Sequence, residues 1–298
     1  MAEGDTEKMW SILDLLNWTT KFFEKKGIEA PRLQAELLLA HVMKRERIQL
    51  YARFDEVPDE QTRASFRELI KKRAAHCPVQ YLLGKTEFLS REFAVDSRAL
   101  IPRPETEQLV EMAIERLRNS DLLDKGPVVD LGTGSGVIAV NLALSLAGVD
   151  LIATDISSEA LDLARQNAKR HGVADRMRFL HGDLFTPIRD VGLAGKVGCI
   201  VANPPYVAKT DFPSLMPEVR DNEPEVALKA GPNGLDVYKR IATEAGDVLL
   251  PGGLLMLEIG FGQCKAVTGL LVESGSFSKR EVHKDFQDID RVIVAKRR

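Results

Sequence analysis

From Gly126 onward the chain alternates short apolar runs with stretches of helical period, and few architectures accept that order. Strands are predicted over 127–131, 149–154, 177–181, 199–202, 253–259, 279–282 and 291–295, with helices over 137–147, 157–171, 235–249 and 263–273. A strand–helix–strand step brings the chain back to the same edge in the same direction. The sheet is therefore mostly parallel, with helices on both faces. Only 283–290 separate the last two strands, a connection too short for a crossover, so that pair is antiparallel. The fold class expected is α/β, a seven-stranded Rossmann-like sheet with a reversed last pair.

The N-terminal part reads differently. Trp10, Leu13, Leu16, Phe22 and Phe23 recur at roughly helical spacing from Thr6 to about Lys26, and Gly27 follows where a C-terminal cap belongs. Further helices are predicted from Pro31 through Val42, over a shorter piece at 45–54, and from about Asp59 to Ala75. The two tryptophans and the phenylalanine pair are expected in the core of this bundle. The alternating stretch 87–95 then suggests a linking β-hairpin, and Ile101-Pro102-Arg103-Pro104-Glu105-Thr106-Glu107 a rigid turn before a helix that Glu105 or Thr106 caps. This gives a helical domain over 1–80, a hairpin linker over 81–105 and a sheet domain over 106–298.

Composition narrows the classes. Basic residues number 41 and acidic residues 44, so the overall charge does not advertise nucleic-acid binding. Cys77, Cys199 and Cys264 are odd in number and lack C-x-x-C spacing, so neither a disulfide framework nor a metal site is expected. No apolar run is long enough to span a membrane and no leader is apparent, which suits a cytoplasmic protein.

Chemistry collects at the carboxyl ends of the first four strands of the sheet domain. Asp130-Leu131-Gly132-Thr133-Gly134-Ser135-Gly136 joins a strand to a helix through a glycine-rich turn over which a ligand can approach the backbone. Its third glycine comes one residue too early for a dinucleotide fingerprint, whose position is held by Val137, so a ligand without a central pyrophosphate fits better. Asp155 ends the second strand and can accept both hydroxyls of a ribose; taken alone it can equally cap the next helix. Asp183 follows the third strand, where a carboxylate can accept from an exocyclic adenine amine, with Leu184 and Phe185 beside it to sandwich the ring, although either apolar side chain taken alone is more often core. Adenosine carrying a charged amino-acid tail satisfies all three, and S-adenosyl-L-methionine is such a molecule. After the fourth strand comes Asn203-Pro204-Pro205-Tyr206. In isolation this is a rigid turn, because neither proline can continue a ladder; beside a methyl-donor site it offers an amide, a directed carbonyl and a ring for a planar nitrogen.

On these motifs the domain resembles class I methyltransferases, and Asn203-Pro204-Pro205-Tyr206 resembles the motif of those that methylate adenine N6, cytosine N4 or a glutamine amide. Pro78-Val79-Gln80-Tyr81-Leu82-Leu83-Gly84, Phe88, Phe93-Ala94-Val95 and 100–107 resemble the HemK/PrmC family of release factor N5-glutamine methyltransferases, over about 78–296. The resemblance implies cofactor contacts from Gly132, Thr133, Gly134, Ser135, Gly136, Asp155, Ile156, Asp183, Leu184 and Asn203, with S-adenosyl-L-homocysteine as product. It implies catalytic roles for Asn203, Pro204 and Tyr206, and substrate contacts from those residues together with Pro205. By their position in the 101–107 turn Arg103 and Glu105 are further candidates for substrate contact, and a structural salt bridge is the equal alternative for either. The implied partner is the Gly-Gly-Gln loop of bacterial class 1 release factors, met by a monomer without direct nucleic-acid contact. Leu184 departs from members that carry an aromatic residue there. The alternative activity is a DNA or RNA adenine-N6 methyltransferase, since the four-residue motif alone does not separate a base amine from an amide.

Overall fold

In the computed structural model, which describes residues 9–298, the chain forms two compact units, one up to Gly84 and the other Lys85–Arg298. The first consists of helices Ile12–Lys25, Pro31–Met43, Arg47–Tyr51, Glu60–Ala74 and Val79–Leu83. The expected start at Thr6 lies outside the described residues. Among those described, the helix begins at Ile12, where Ser11 accepts from the Asp14 N–H at 3.2 Å and Asp14 accepts in return from the Ser11 N–H at 3.2 Å. A reciprocal cap of this kind contributes about 1 kcal/mol. The helix buries Ile12, Leu16, Thr19 and Phe23, one stripe at helical spacing. Trp18 falls off that stripe and is 48% exposed, contrary to the core position expected from its size. It stacks on Phe22 at 5.2 Å and meets Trp10 edge-on at 6.4 Å, an aromatic cluster on the outside of the helix.

The second unit opens with the hairpin β1 (Lys85–Phe88) and β2 (Arg91–Ala94), whose turn residues Leu89 and Ser90 both take positive φ. It continues with the sheet strands β3 (Val128–Leu131), β4 (Leu151–Asp155), β5 (Met177–His181), β6 (Val197–Ala202), β7 (Leu249–Glu258), β8 (Phe277–Lys284) and β9 (Asp290–Arg297). Their spatial order is β5-β4-β3-β6-β7-β9-β8, parallel from β5 to β7, with β9 antiparallel to both β7 and β8. The seven strands and the reversed last pair are those the sequence predicts. β7 starts four residues earlier than expected, at Leu249; its pairing with β6 shifts register between Val197 and Cys199, and Gly252 in the intervening stretch takes φ +81°.

Side-chain alternation divides the core between the two faces of the sheet. Cys199, Val201 and Met256 face helices Pro104–Arg118 and Val137–Ser145; Ile200, Ala202, Leu255 and Leu257 face helices Asp236–Val248 and Cys264–Glu273. The hairpin packs Phe88 and Phe93 into the first of these cores. Polar clamps hold it there. Asn167 on helix Ser158–Arg170 exchanges hydrogen bonds with the Ala94 backbone, accepting at 2.8 Å and donating at 2.9 Å, and donates also to the Ser135 carbonyl at 2.8 Å. One buried side chain thus ties the hairpin to the glycine turn.

Candidate active site

The chain runs from β3 outward to β5 and then crosses back to β6 on the other side of β3, so the strand order reverses between β3 and β6. Crevices at such reversals are where open α/β sheets bind ligands, at the carboxyl ends of the strands. A cavity of about 450 Å³ occupies this place. It is lined by Gly132, Thr133, Gly134 and Ser135 after β3 and by Asp155 and Ile156 after β4. Asp183 and Leu184 after β5, and Asn203 and Pro205 after β6, line it as well.

The glycine turn is held from both sides. The N–H groups of Gly132 and Thr133 donate to the Thr154 carbonyl at 2.9 and 2.8 Å. Asp130, fully buried, accepts from the Thr133 hydroxyl at 2.6 Å and from the Ala139 N–H at 3.0 Å, and burial pushes its carboxyl up to about 7. Gly132 has φ +76°, and no atom lies within 4 Å of where its Cβ would stand. Gly136, predicted among the cofactor contacts, does not line the cavity: a Cβ there would meet Ala164 at 3.0 Å, so this glycine lets helix Ser158–Arg170 pack close.

Asp155 accepts from the Gly134 N–H at 2.9 Å through one oxygen and from the Ser157 N–H at 2.9 Å through the other. Burial raises its pKa, and these backbone donors pull the other way. The following helix is capped by Ser157, which accepts from the Ala160 N–H at 3.1 Å, so Asp155 is not its cap. Each carboxylate oxygen retains a lone pair for a hydroxyl in the cavity. Asp183 is gripped by both arms of Arg240 at 3.1 and 2.6 Å, a partner 57 residues away that local pattern does not reveal. Leu184 takes φ +45° and lines the cavity, whereas Phe185 is fully buried in the sheet core beside Val129 and Ile200. The expectation that both flank one ring fails for Phe185, because the turn at Leu184 sends the next side chain inward.

At the fourth strand end, the Asn203 Nδ2 donates to the Thr106 hydroxyl at 3.0 Å, and that hydroxyl donates to Glu258 at 2.7 Å. Thr106 is therefore no helix cap. Helix Pro104–Arg118 begins at Pro104 with no side-chain cap, since proline has no N–H to satisfy and its φ is preset. Pro204 is buried and Tyr206 half-buried, and neither is among the cavity-lining residues. The Tyr206 ring lies so close to Gly260 that a Cβ there would meet it at 2.9 Å, and the Tyr206 carbonyl accepts from Gln263 Nε2 at 3.0 Å. Gln263 also donates to the Gly234 carbonyl at 3.2 Å and accepts from the Gly260 N–H at 3.1 Å, so one amide braces three segments around the motif.

Arg103 and Glu105, both candidates for substrate contact or a structural salt bridge, part company. Glu105 is exposed. Arg103 lines the cavity and donates at 2.6 Å to Glu223, whose side chain is 1% exposed and also accepts from the Ile101 N–H at 3.4 Å. Arg103→Ala leaves that carboxylate buried without its cation. Denaturation should show a loss of about 2–3 kcal/mol, below the ~3–5 kcal/mol of a fully buried pair because Arg103 is half-exposed.

Comparison with known proteins matches residues 14–84 to the PrmC N-terminal domain and residues 107–218 to the methyltransferase small domain. The catalytic domain of hMettl16, solved with an RNA hairpin, is 15% identical with a TM-score of 0.56, covering 76% of this chain and 80% of that one; it shares the fold alone. Much nearer are two proteins named release factor glutamine methyltransferase. That of Chlorobaculum tepidum is 42% identical over 96% of this chain and 97% of its own length. That of Rhodopirellula baltica is 39% identical over 98% of each. Identity at this level extends over nearly the whole chain, and by it the chain belongs to the release factor glutamine methyltransferases.

Proposed function

We propose that this protein transfers a methyl group from S-adenosyl-L-methionine to the side-chain amide nitrogen of the glutamine in the Gly-Gly-Gln motif of peptide chain release factors. The observation that carries the reading is the single cavity joining the glycine turn, Asp155 and Asp183 to an Asn203 amide whose Nδ2 is already engaged. The residues fit the cofactor. Gly132 offers backbone facing open space for an amino-acid tail, Asp155 offers acceptors for a ribose, and Asp183 with Leu184 lies where an adenine would rest. Bound there, the cofactor supplies an electrophilic methyl group on a sulfonium.

The chain's own task is to position a poor nucleophile. An amide lone pair is delocalised into its carbonyl, so reaction requires the nitrogen to be held in one orientation. Asn203 Oδ1 and the Pro204 carbonyl accept the two N–H bonds of the substrate amide and leave the third direction of the nitrogen facing the donor. Tyr206, seated on Gly260, walls the amide plane. As positive charge develops on the nitrogen, both N–H bonds become stronger donors, so these two acceptors bind the transition state better than the ground state. The helical unit and the 101–107 turn contribute to docking of the protein substrate.

The reading is tested by incubating the protein with labelled cofactor and either a release factor or duplex DNA. Label is expected in the release factor alone. Label in DNA with none in the release factor contradicts it.

A further inference from the structure

Residues on three elements meet behind Asn203. Thr106 sits in the first turn of helix Pro104–Arg118, Glu258 ends β7, and Asn203 follows β6; they are 97 and 152 residues apart along the chain. Thr106, at the edge of the cavity, is 3% exposed and Glu258 1%. A hydroxyl has one hydrogen. Once Thr106 gives it to the Glu258 carboxylate at 2.7 Å, its oxygen can only accept, and it selects the Nδ2 face of Asn203 at 3.0 Å over the Oδ1 face. An amide rotated by half a turn has nearly the same shape but presents N–H where C=O belongs, and would set donor against donor at the substrate nitrogen.

We propose that Thr106 and Glu258 are positioning residues that lock the Asn203 amide with Oδ1 toward the substrate. The inference rests on the function proposed above and adds to it the device that makes Asn203 an acceptor. The direction of the relay depends on the charge of Glu258. A Glu258 protonated on the oxygen that faces Thr106 donates to its hydroxyl, whose hydrogen then turns to Asn203 and selects Oδ1, the inactive orientation. The groups facing this carboxyl are Arg291 and Arg103, which favour its ionised form, Glu105, which opposes it, and the Tyr206 and Tyr238 phenols. Burial moves the Glu258 carboxyl up to about 7, within reach of an ordinary pH profile.

The test uses the full chain in four forms: wild type, Thr106→Val, Thr106→Ser and Glu258→Gln. With release factor as substrate, T106V should lower kcat by about 10–100-fold while cofactor affinity changes less than about twofold. T106S, which keeps the hydroxyl, should recover most of that turnover. In E258Q the acid limb of the kcat profile should disappear. A T106V kcat within twofold of wild type overturns the proposal, as does a T106S as impaired as T106V. So does an unchanged acid limb in E258Q, which decides the matter if T106V does not fold. A substrate-independent readout separates this from failure of the proposed function. The Asn203 side-chain NH₂ pair, assigned by its loss in Asn203→Ala, should hold one slowly exchanging proton by ¹⁵N NMR, and that protection should fall at least about tenfold in T106V. If release factor is not methylated at all yet protection falls, the function fails and the positioning stands; unchanged protection overturns the positioning whatever the substrate proves to be.

Discussion

Asn203→Ala is expected to lower kcat for methyl transfer by about 10²–10³-fold or more, with cofactor affinity within a few-fold of wild type. The magnitude is that of deleting one preorganised group aimed at charge developing in a transition state. It is the largest effect expected from a single side chain because the same amide does two things. Its Oδ1 accepts from the nucleophile, and its Nδ2 is the bond by which Thr106 and Glu258 reach the site. Truncation leaves the Thr106 hydroxyl bonded to Glu258, so the scaffold keeps its buried hydrogen bond and the fold should survive. Steady-state turnover beside a cofactor thermal shift separates the two effects. Near-normal turnover in the Ala variant removes Asn203 from the mechanism.

Asp155→Ala is expected to abolish the stabilisation by cofactor and raise its Kd by about 10²-fold or more. Charge-assisted hydrogen bonds to two hydroxyls contribute on the order of 1.5–3 kcal/mol each, and both are lost together. A second loss compounds the first. The carboxylate holds the Gly134 and Ser157 N–H groups at 2.9 Å, so its removal loosens the Gly134 end of the glycine turn over which the ligand lies. Asp155→Asn distinguishes the contributions, since it keeps an acceptor for one backbone donor but surrenders the charge. Calorimetric titration of cofactor into the three proteins gives the order expected: wild type tightest, Asn intermediate, Ala weakest.

The parts of this molecule that can be read from sequence are those specified by neighbours in the chain. Strand and helix alternate with characteristic periods, the Gly132–Gly136 turn and Asn203-Pro204-Pro205-Tyr206 are contiguous, and the strand ends therefore announce themselves. What stays hidden is held by partners far along the chain. Thr106 looks like a helix cap because threonine commonly is one; only the folded chain brings Glu258 and Asn203 to it. Glu223 lies in the stretch between β6 and helix Asp236–Val248, to which no element is assigned from pattern, yet it is the buried partner of Arg103. Arg240 and Gln263 carry no motif, and they grip Asp183 and brace Tyr206. Trp18 shows the converse error, since size argued for burial while its angular position on the helix placed it outside. Asp130 sits inside the glycine motif, yet a carboxylate near the end of a buried strand does not declare whether it faces ligand or backbone; here it holds the turn.

Everything proposed for the site turns on the methyl group reaching a protein glutamine amide. The direct measurement is fragment-ion mass spectrometry of the release-factor peptide containing Gly-Gly-Gln after incubation with this protein and S-adenosyl-L-methionine. One added methyl group is expected on the glutamine side chain, absent when Asn203→Ala replaces the wild type. An unmodified glutamine, or a methyl group on any other residue of that peptide, contradicts it.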